Sequence, residues 1–258
     1  MPISEPDAVV ERERVPLVAQ QESMLSLSGV VAGYGGFDIL HGIDLHVNRG
    51  EIVTVVGPNG SGKSTVFNAI YGLIRVRRGE IVFERENVTS MGPQDLLRRG
   101  LAMVPQLSTI FPYLSVYENL ELGMYLVRDR ARVRARIQQI FELFPRLAER
   151  REQHAGTLSG GERRSLEIGR SLMLDPRMIL MDEPSVGLSP ILTKGMFQQL
   201  RELRDKAGLT FLLIEQNARS ALELADRGYV IQRGRVSHTG TGASLLGDAE
   251  VRRAFLGG

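Results

Sequence analysis

Two periodicities divide the hydrophobic positions of this chain. Met24-Leu25-Ser26-Leu27-Ser28 alternates like a half-buried strand, and Ile52-Val53-Thr54-Val55-Val56 is a β-branched run suited to a buried one. Short apolar runs recur at 81–83, 101–104, 178–181, 211–214 and 229–231. Several are separated by segments of helical period, and that alternation predicts an α/β fold around a mainly parallel sheet. Between Tyr117 and Arg151 the strand signal disappears. Ile137, Ile140, Phe141 and Phe144 there keep the i, i+3, i+4, i+7 spacing of an amphipathic helix, so a helical insertion is expected. Arg128, Arg130, Arg132, Arg134 and Arg136 alternate at period two, yet the intervening Ala131, Val133 and Ala135 favour a helix with a solvated cationic face.

Composition narrows the field. The 258 residues are 43% apolar and 24% charged, an ordinary globular balance for one large or two small domains. No apolar run approaches the roughly 18 to 20 residues that cross a bilayer. Residues 1–22 include Glu5, Asp7, Glu11, Arg12, Glu13 and Arg14 with Pro2, Pro6 and Pro16. Without a basic start or an apolar core, that stretch is expected to be a disordered extension and not a secretory signal. Cysteine is absent, which removes disulfides, thiol chemistry and thiolate metal sites and fits the cytosol. The 32 basic and 30 acidic side chains leave a net charge of +2, too near balance for a nucleic-acid polyelectrolyte, and no nucleic-acid partner is expected. His41, His46, His154 and His238 form no pair with ligand spacing, so no protein-borne metal site is expected from them.

Three segments carry chemistry. Gly57-Pro58-Asn59-Gly60-Ser61-Gly62-Lys63-Ser64-Thr65 follows the 52–56 strand and precedes a helical run, the context a phosphate-binding loop requires. Its glycines let backbone N–H groups turn inward around phosphate oxygens, Lys63 neutralises the β/γ-phosphates, and the Ser64 hydroxyl can ligate Mg²⁺. All but Lys63, Lys194 and Lys206 of the basic residues are arginine, so a lysine at this one place argues for a role arginine does not fill. Met178-Ile179-Leu180-Met181-Asp182-Glu183 is an apolar strand ending in two carboxylates. Beside a phosphate loop, it places Asp182 to hold Mg²⁺ through water and Glu183 to orient the attacking water. Leu158-Ser159-Gly160-Gly161-Glu162 opens a helix. A capping box accounts for Ser159 and Glu162 but leaves the two glycines unexplained, and these would let backbone N–H groups approach a second phosphate.

Taken in order with Gln106, these segments resemble the ATP-binding cassette ATPases from about Met24 to the C-terminus. The resemblance implies a RecA-like P-loop core with a mainly parallel sheet, an N-terminal antiparallel β subdomain, and an inserted α-helical subdomain at roughly 90–160. One ATPase domain at 23–258 follows. It also implies a head-to-tail dimer in which Ser159, Gly160, Gly161 and Glu162 complete the partner's ATP site, with Tyr34 stacking on adenine and Gln106 linking Mg²⁺ to the transport subunit. Leu143-Phe144-Pro145-Arg146-Leu147, the run from Asp182 to Pro190, and Ile214-Glu215-Gln216-Asn217 resemble the second ATPase of branched-chain amino-acid importers, as do residues 225–230 and 256–258.

That branch implies two membrane permease subunits, a sister ATPase or a second copy of this chain, and, indirectly, an extracytoplasmic solute-binding protein. It places the chain on the cytoplasmic face of the inner membrane. Importers of urea, amides or other amino acids and the lipopolysaccharide-export ATPase are the nearest alternatives, and a non-transport cassette stands further off. A guanine-nucleotide switch is excluded because neither Lys194 nor Lys206 sits in an Asn-Lys-x-Asp reader. The chain departs from the general superfamily pattern at Gln216, where most members carry a histidine that meets the γ-phosphate. Glu162 replaces glutamine, and Ser189 replaces an aspartate that crosses the dimer interface. Glutamine donates a hydrogen bond but never becomes cationic, so an asymmetric pair with a histidine-bearing sister site is expected.

Overall fold

The computed structural model describes residues 23–256. The disordered extension expected at 1–22 and Gly257-Gly258 of the C-terminal resemblance lie outside them. In chain order come β1 (Ser23–Ala32), β2 (Leu40–Asn48), β3 (Ile52–Val56), α1 (Lys63–Ile70), β4 (Val76–Phe83), β5 (Glu86–Asn87), α2 (Pro93–Arg98) and β6 (Leu101–Val104). Then follow α3 (Val116–Leu122), α4 (Arg130–Leu143), α5 (Pro145–Glu149), α6 (Gly160–Leu172), β7 (Met178–Asp182), α7 (Pro190–Ala207), β8 (Thr210–Ile214), α8 (Ala218–Leu224), β9 (Arg227–Gln232), β10 (Arg235–Thr241) and α9 (Gly242–Gly247).

Two sheets result. The larger has six strands in the order β10-β9-β3-β8-β7-β6, and every pairing in it is parallel except β10 with β9. The smaller is antiparallel, in the order β2-β1-β4-β5. An α/β fold with a mainly parallel sheet and an N-terminal antiparallel one is therefore present. β6 falls within the 90–160 span and lies at the edge of the large sheet.

Every residue of β3 and β8 is buried, as expected of parallel strands covered on both faces. Side chains alternate between the faces. Ile52, Ile179, Met181, Phe211 and Leu213 pack with Val116, Leu120, Ile137, Ile140, Leu166 and Leu200 of α3, α4, α6 and α7. Val53, Val55, Leu180, Leu212 and Ile214 pack with Val66 and Phe67 of α1 and with Leu25, Leu27, Ile43 and Ile81 of the small sheet. The arginine-rich stretch is helical, with Val133, Ile137, Ile140 and Phe141 buried while Arg130, Arg132 and Arg134 are exposed. Asp129 caps it, accepting from the Ala131 and Arg132 N–H groups.

The two sheets are joined by a polar cluster. Arg227 at the start of β9 reaches both Glu51 carboxylate oxygens at 2.8 Å, the Tyr229 hydroxyl at 2.6 Å and the His46 carbonyl of β2 at 2.7 Å. Burial, with the Arg227 charge beside it, pulls the His46 pKa down, so the imidazole is held neutral between the sheets.

Candidate active site

Three loops leave the C-terminal ends of β3, β8 and β7, neighbours in the large sheet, and this is where α/β proteins hold ligands. After β3 the chain turns through Gly57–Gly62 into α1. Gly57 and Gly62 are at φ 154° and 106°. A Cβ on Gly57 would stand 2.2 Å from the Ile231 carbonyl oxygen, so only glycine passes there. Gly62 caps α1 without any side-chain acceptor, leaving the first N–H groups of the helix free for an anion. Lys63 is 5% exposed, and its ammonium donates to the Gly57 and Pro58 carbonyls at 2.8 and 3.1 Å. Burial lowers the Lys63 pKa, against the pull of Glu183 and Asp182. Ser61 is buried with an unpartnered hydroxyl, whereas Pro58, Asn59, Gly60 and Ser64 are exposed and Thr65 is buried. The Tyr34 hydroxyl accepts from Asn68 of α1 at 2.7 Å and so stands beside this helix with 48% of its surface open.

β7 delivers Asp182 and Glu183 opposite the loop. Asp182 is pushed up to about 6 by burial first and the Glu183 charge second, with Lys63 opposing both. Its Oδ1 is buried and has no hydrogen-bond partner. A hard, partnerless carboxylate oxygen beside phosphate-binding groups fits Mg²⁺, with the Ser64 hydroxyl and the Gln106 amide as companion oxygen donors. Gln106, after β6, donates through Nε2 to Glu183 Oε2 at 2.8 Å and so meets a residue 77 positions away. Glu183 adopts a left-handed backbone, φ 46°, and its N–H donates to the Ile214 carbonyl at 2.8 Å. Gln216 is exposed just beyond β8.

The charge state of Asp182 has a measurable consequence without nucleotide. With the native carboxyl pushed up to about 6 from an ordinary 3.8, the folded state holds, between those two pH values, a proton that the unfolded state has lost. The penalty of the charged form is absent below pH 3.8 and complete above about pH 6. Asp182→Asn is therefore expected to raise the nucleotide-free Tm by about 3 °C at pH 7.5, with a smaller gain at pH 4.5. Differential scanning calorimetry at the two pH values checks this, and an equal or lower Tm at pH 7.5 refutes it.

The Ser159 segment forms a second group. Ser159 caps α6 in a capping box: its hydroxyl accepts the Glu162 N–H at 3.3 Å, and Glu162 Oε2 accepts the Ser159 N–H and hydroxyl at 3.0 and 2.9 Å. Glu162 Oε1 is held by Arg150 at 2.5 Å, and that bond is the main reason its pKa is lowered. The glycines have a packing reason: a Cβ on Gly160 would meet Leu188 at 3.3 Å and one on Gly161 would meet Leu192 at 3.1 Å. Ser189 caps α7, accepting from the Leu192 N–H at 3.5 Å.

Sequence reasoning gave no role to two residues here. Arg150 has no local signal, because its link to Glu162 is purely spatial. Glu215 is 1% exposed, and burial pushes its pKa up. An acid ending an apolar strand beside Gln216 is the one local signal that could have found it.

Comparison with known proteins agrees with this geometry. Residues 40–186 match the family model described as ABC transporter. The high-affinity branched-chain amino acid transport ATP-binding protein BraG of Pseudomonas aeruginosa is 43% identical, over 91% of this chain and 100% of that protein. The probable branched-chain amino acid transport ATP-binding protein LivF of Archaeoglobus fulgidus is 38% identical, over 91% and 99%. The crystal structure of the ADP conformation of MJ1267, an ATP-binding cassette of an ABC transporter, superposes with TM-score 0.83 at 31% identity, covering 92% of this chain and 99% of that one. The chain belongs to the ABC transporter family and is an ATP-binding, ATP-hydrolysing subunit of that family, its chemistry coupled to transport.

Proposed function

We propose that this subunit powers import of branched-chain amino acids through two membrane permease subunits. The observation that carries this is the match to BraG over the whole length of that protein. The glutamine at 216 and the glutamate at 162, both in positions where that branch departs from the superfamily, support it. The ATPase domain spans 23–258, with the helical subdomain at roughly 90–160. A sister ATPase or a second copy of the chain completes a dimer, and an extracytoplasmic solute-binding protein supplies the cargo. Among the described residues no helix is long and apolar enough to cross a membrane. The subunit is held at the cytoplasmic face of the inner membrane by its permease partners.

The residues divide the work. Tyr34 stacks on adenine. The N–H groups of Gly57, Pro58-flanked Asn59, Gly60, Ser61, Gly62, Lys63, Ser64 and Thr65 cradle the phosphates while the Lys63 ammonium turns from its carbonyl partners to the β/γ oxygens. Ser64, Gln106 and Asp182 would hold Mg²⁺, which when bound neutralises phosphate charge. Glu183 orients and polarises the attacking water, with Gln106 restraining its carboxylate. Gln216 donates a hydrogen bond to the γ-phosphate. Ser159, Gly160, Gly161 and Glu162 close on the nucleotide held by the other subunit, so hydrolysis follows closure.

Uptake of labelled leucine, urea and phenylalanine by source cells carrying wild type or Lys63→Ala tests the cargo. Loss of leucine uptake alone is expected. Loss of a different solute changes the cargo, and unchanged uptake of all three with stable expression refutes an import role.

A further inference from the structure

Beyond the groups that would touch nucleotide, one buried acid is tied to the hydrolytic loop in a way its neighbours are not. Glu215 follows β8 and is 1% exposed. Its Oε1 accepts the Ser185 N–H at 2.9 Å and its Oε2 accepts the Ser185 hydroxyl at 2.7 Å. No lysine, arginine or histidine among the described residues forms an ion pair with it. A buried carboxylate without a cation is tolerated only where N–H and O–H donors surround it, so those donors define its purpose.

Ser185 stands two residues after Glu183, and the segment between is unusual. Glu183 is in the left-handed region at φ 46°, which disfavours residues with a Cβ, and its N–H is fixed on the Ile214 carbonyl at 2.8 Å. Two consecutive residues at the end of β8, Ile214 and Glu215, thus hold both ends of the Glu183–Ser185 turn. The turn continues through Val186, whose N–H meets the Glu183 carbonyl at 3.1 Å, and Leu188, whose N–H meets the Ser185 carbonyl at 3.1 Å. It then enters α7 at Ser189.

We infer that Glu215 is a positioning residue for hydrolysis: by accepting both donors of Ser185 it fixes the strained turn that aims Glu183, and it couples that turn to Gln216 next door. Glutamate suits the place because both donors come from one residue and need two hydrogen-free acceptors. Glutamine would keep the shape, yet it offers one oxygen and forces the Ser185 hydroxyl to reverse. Aspartate would fall one methylene short. The inference rests on the reading of Glu183 as the group that orients water.

The test is steady-state ATPase kinetics on the full chain with Glu215→Gln, Ser185→Ala, Ser185→Thr, the Glu215→Gln/Ser185→Ala double variant and Glu183→Gln, alongside Tm and ATP affinity. Expected are a kcat about tenfold lower in Glu215→Gln and in Ser185→Ala, with KM within about twofold of wild type. Ser185→Thr, which keeps the hydroxyl, restores kcat. The double variant is no slower than either single one, as for two members of one contact. Unchanged kcat in Glu215→Gln and Ser185→Ala, additive losses, or losses that track a fall in Tm and ATP affinity overturn the assignment. Intact turnover in Glu183→Gln overturns the reading of Glu183 and this proposal with it, whereas slow Glu183→Gln with fast Glu215→Gln overturns this proposal alone.

Discussion

Glu183→Gln is expected to lower ATP turnover by about a thousandfold while ATP affinity stays within about threefold of wild type. The amide keeps the shape of the side chain and one oxygen to accept from Gln106 Nε2, now 2.8 Å from the carboxylate. It loses the negative charge proposed to polarise water. The same change relieves Asp182, whose pKa is raised partly by Glu183, so the group expected to face Mg²⁺ ionises more readily and binding does not suffer. Nucleotide binding without turnover leaves the dimer closed, provided that a sister site does not hydrolyse. Phosphate release gives the turnover, and light scattering with ATP reports the dimer. Equal turnover in the variant and wild type removes Glu183 from its role.

The second large effect falls on binding. Lys63→Ala is expected to weaken ATP affinity by about a hundredfold, the loss of one or two charge-assisted hydrogen bonds at about 1.5–3 kcal/mol each. The ammonium is nearly enclosed and already desolvated, so the protein has borne much of the cost of bringing a charge to the phosphates before ATP arrives. Lys63→Arg does not restore affinity. A planar fork does not fit where a point charge sits 2.8 and 3.1 Å from two carbonyl oxygens of the same turn. Titration with a fluorescent ATP analogue measures both variants, and wild-type affinity in Lys63→Ala contradicts the assignment of the loop.

How far the sequence revealed all this depends on the range of each interaction. β3, β7 and β8 were legible because strands buried on both faces read as continuous apolar runs. β2 carries no clean strand pattern although Leu40, Ile43, Leu45 and Val47 are all buried, since its alternation slips by one near Gly42, where the pairing with β1 is irregular. β10 is hidden for a different reason: it is an edge strand, exposed or half-exposed at every position, and its composition is that of a loop. The phosphate loop could be read because its meaning is local, one turn between a strand and a helix. The bonds from Gln106 to Glu183, from Arg150 to Glu162 and from Glu215 to Ser185 are set by sheet order and helix packing, and no spacing along the chain encodes them.

The order of strands in the large sheet also bears on how the protein is made. β3 lies between β9 and β8, and both begin in the last fifth of the chain, at Thr210 and Arg227. A ribosome adding about 5–20 residues per second therefore releases β3 on the order of ten seconds before either neighbour exists. For that interval a strand destined for complete burial has two open edges, which suits a chaperone or a stray strand of another chain. The phosphate loop gains its wall at Ile231 only when β9 emerges. ATP capture is thus a property of the finished polypeptide, and a chain stalled before its final strands is left with apolar edges and no nucleotide to steady it.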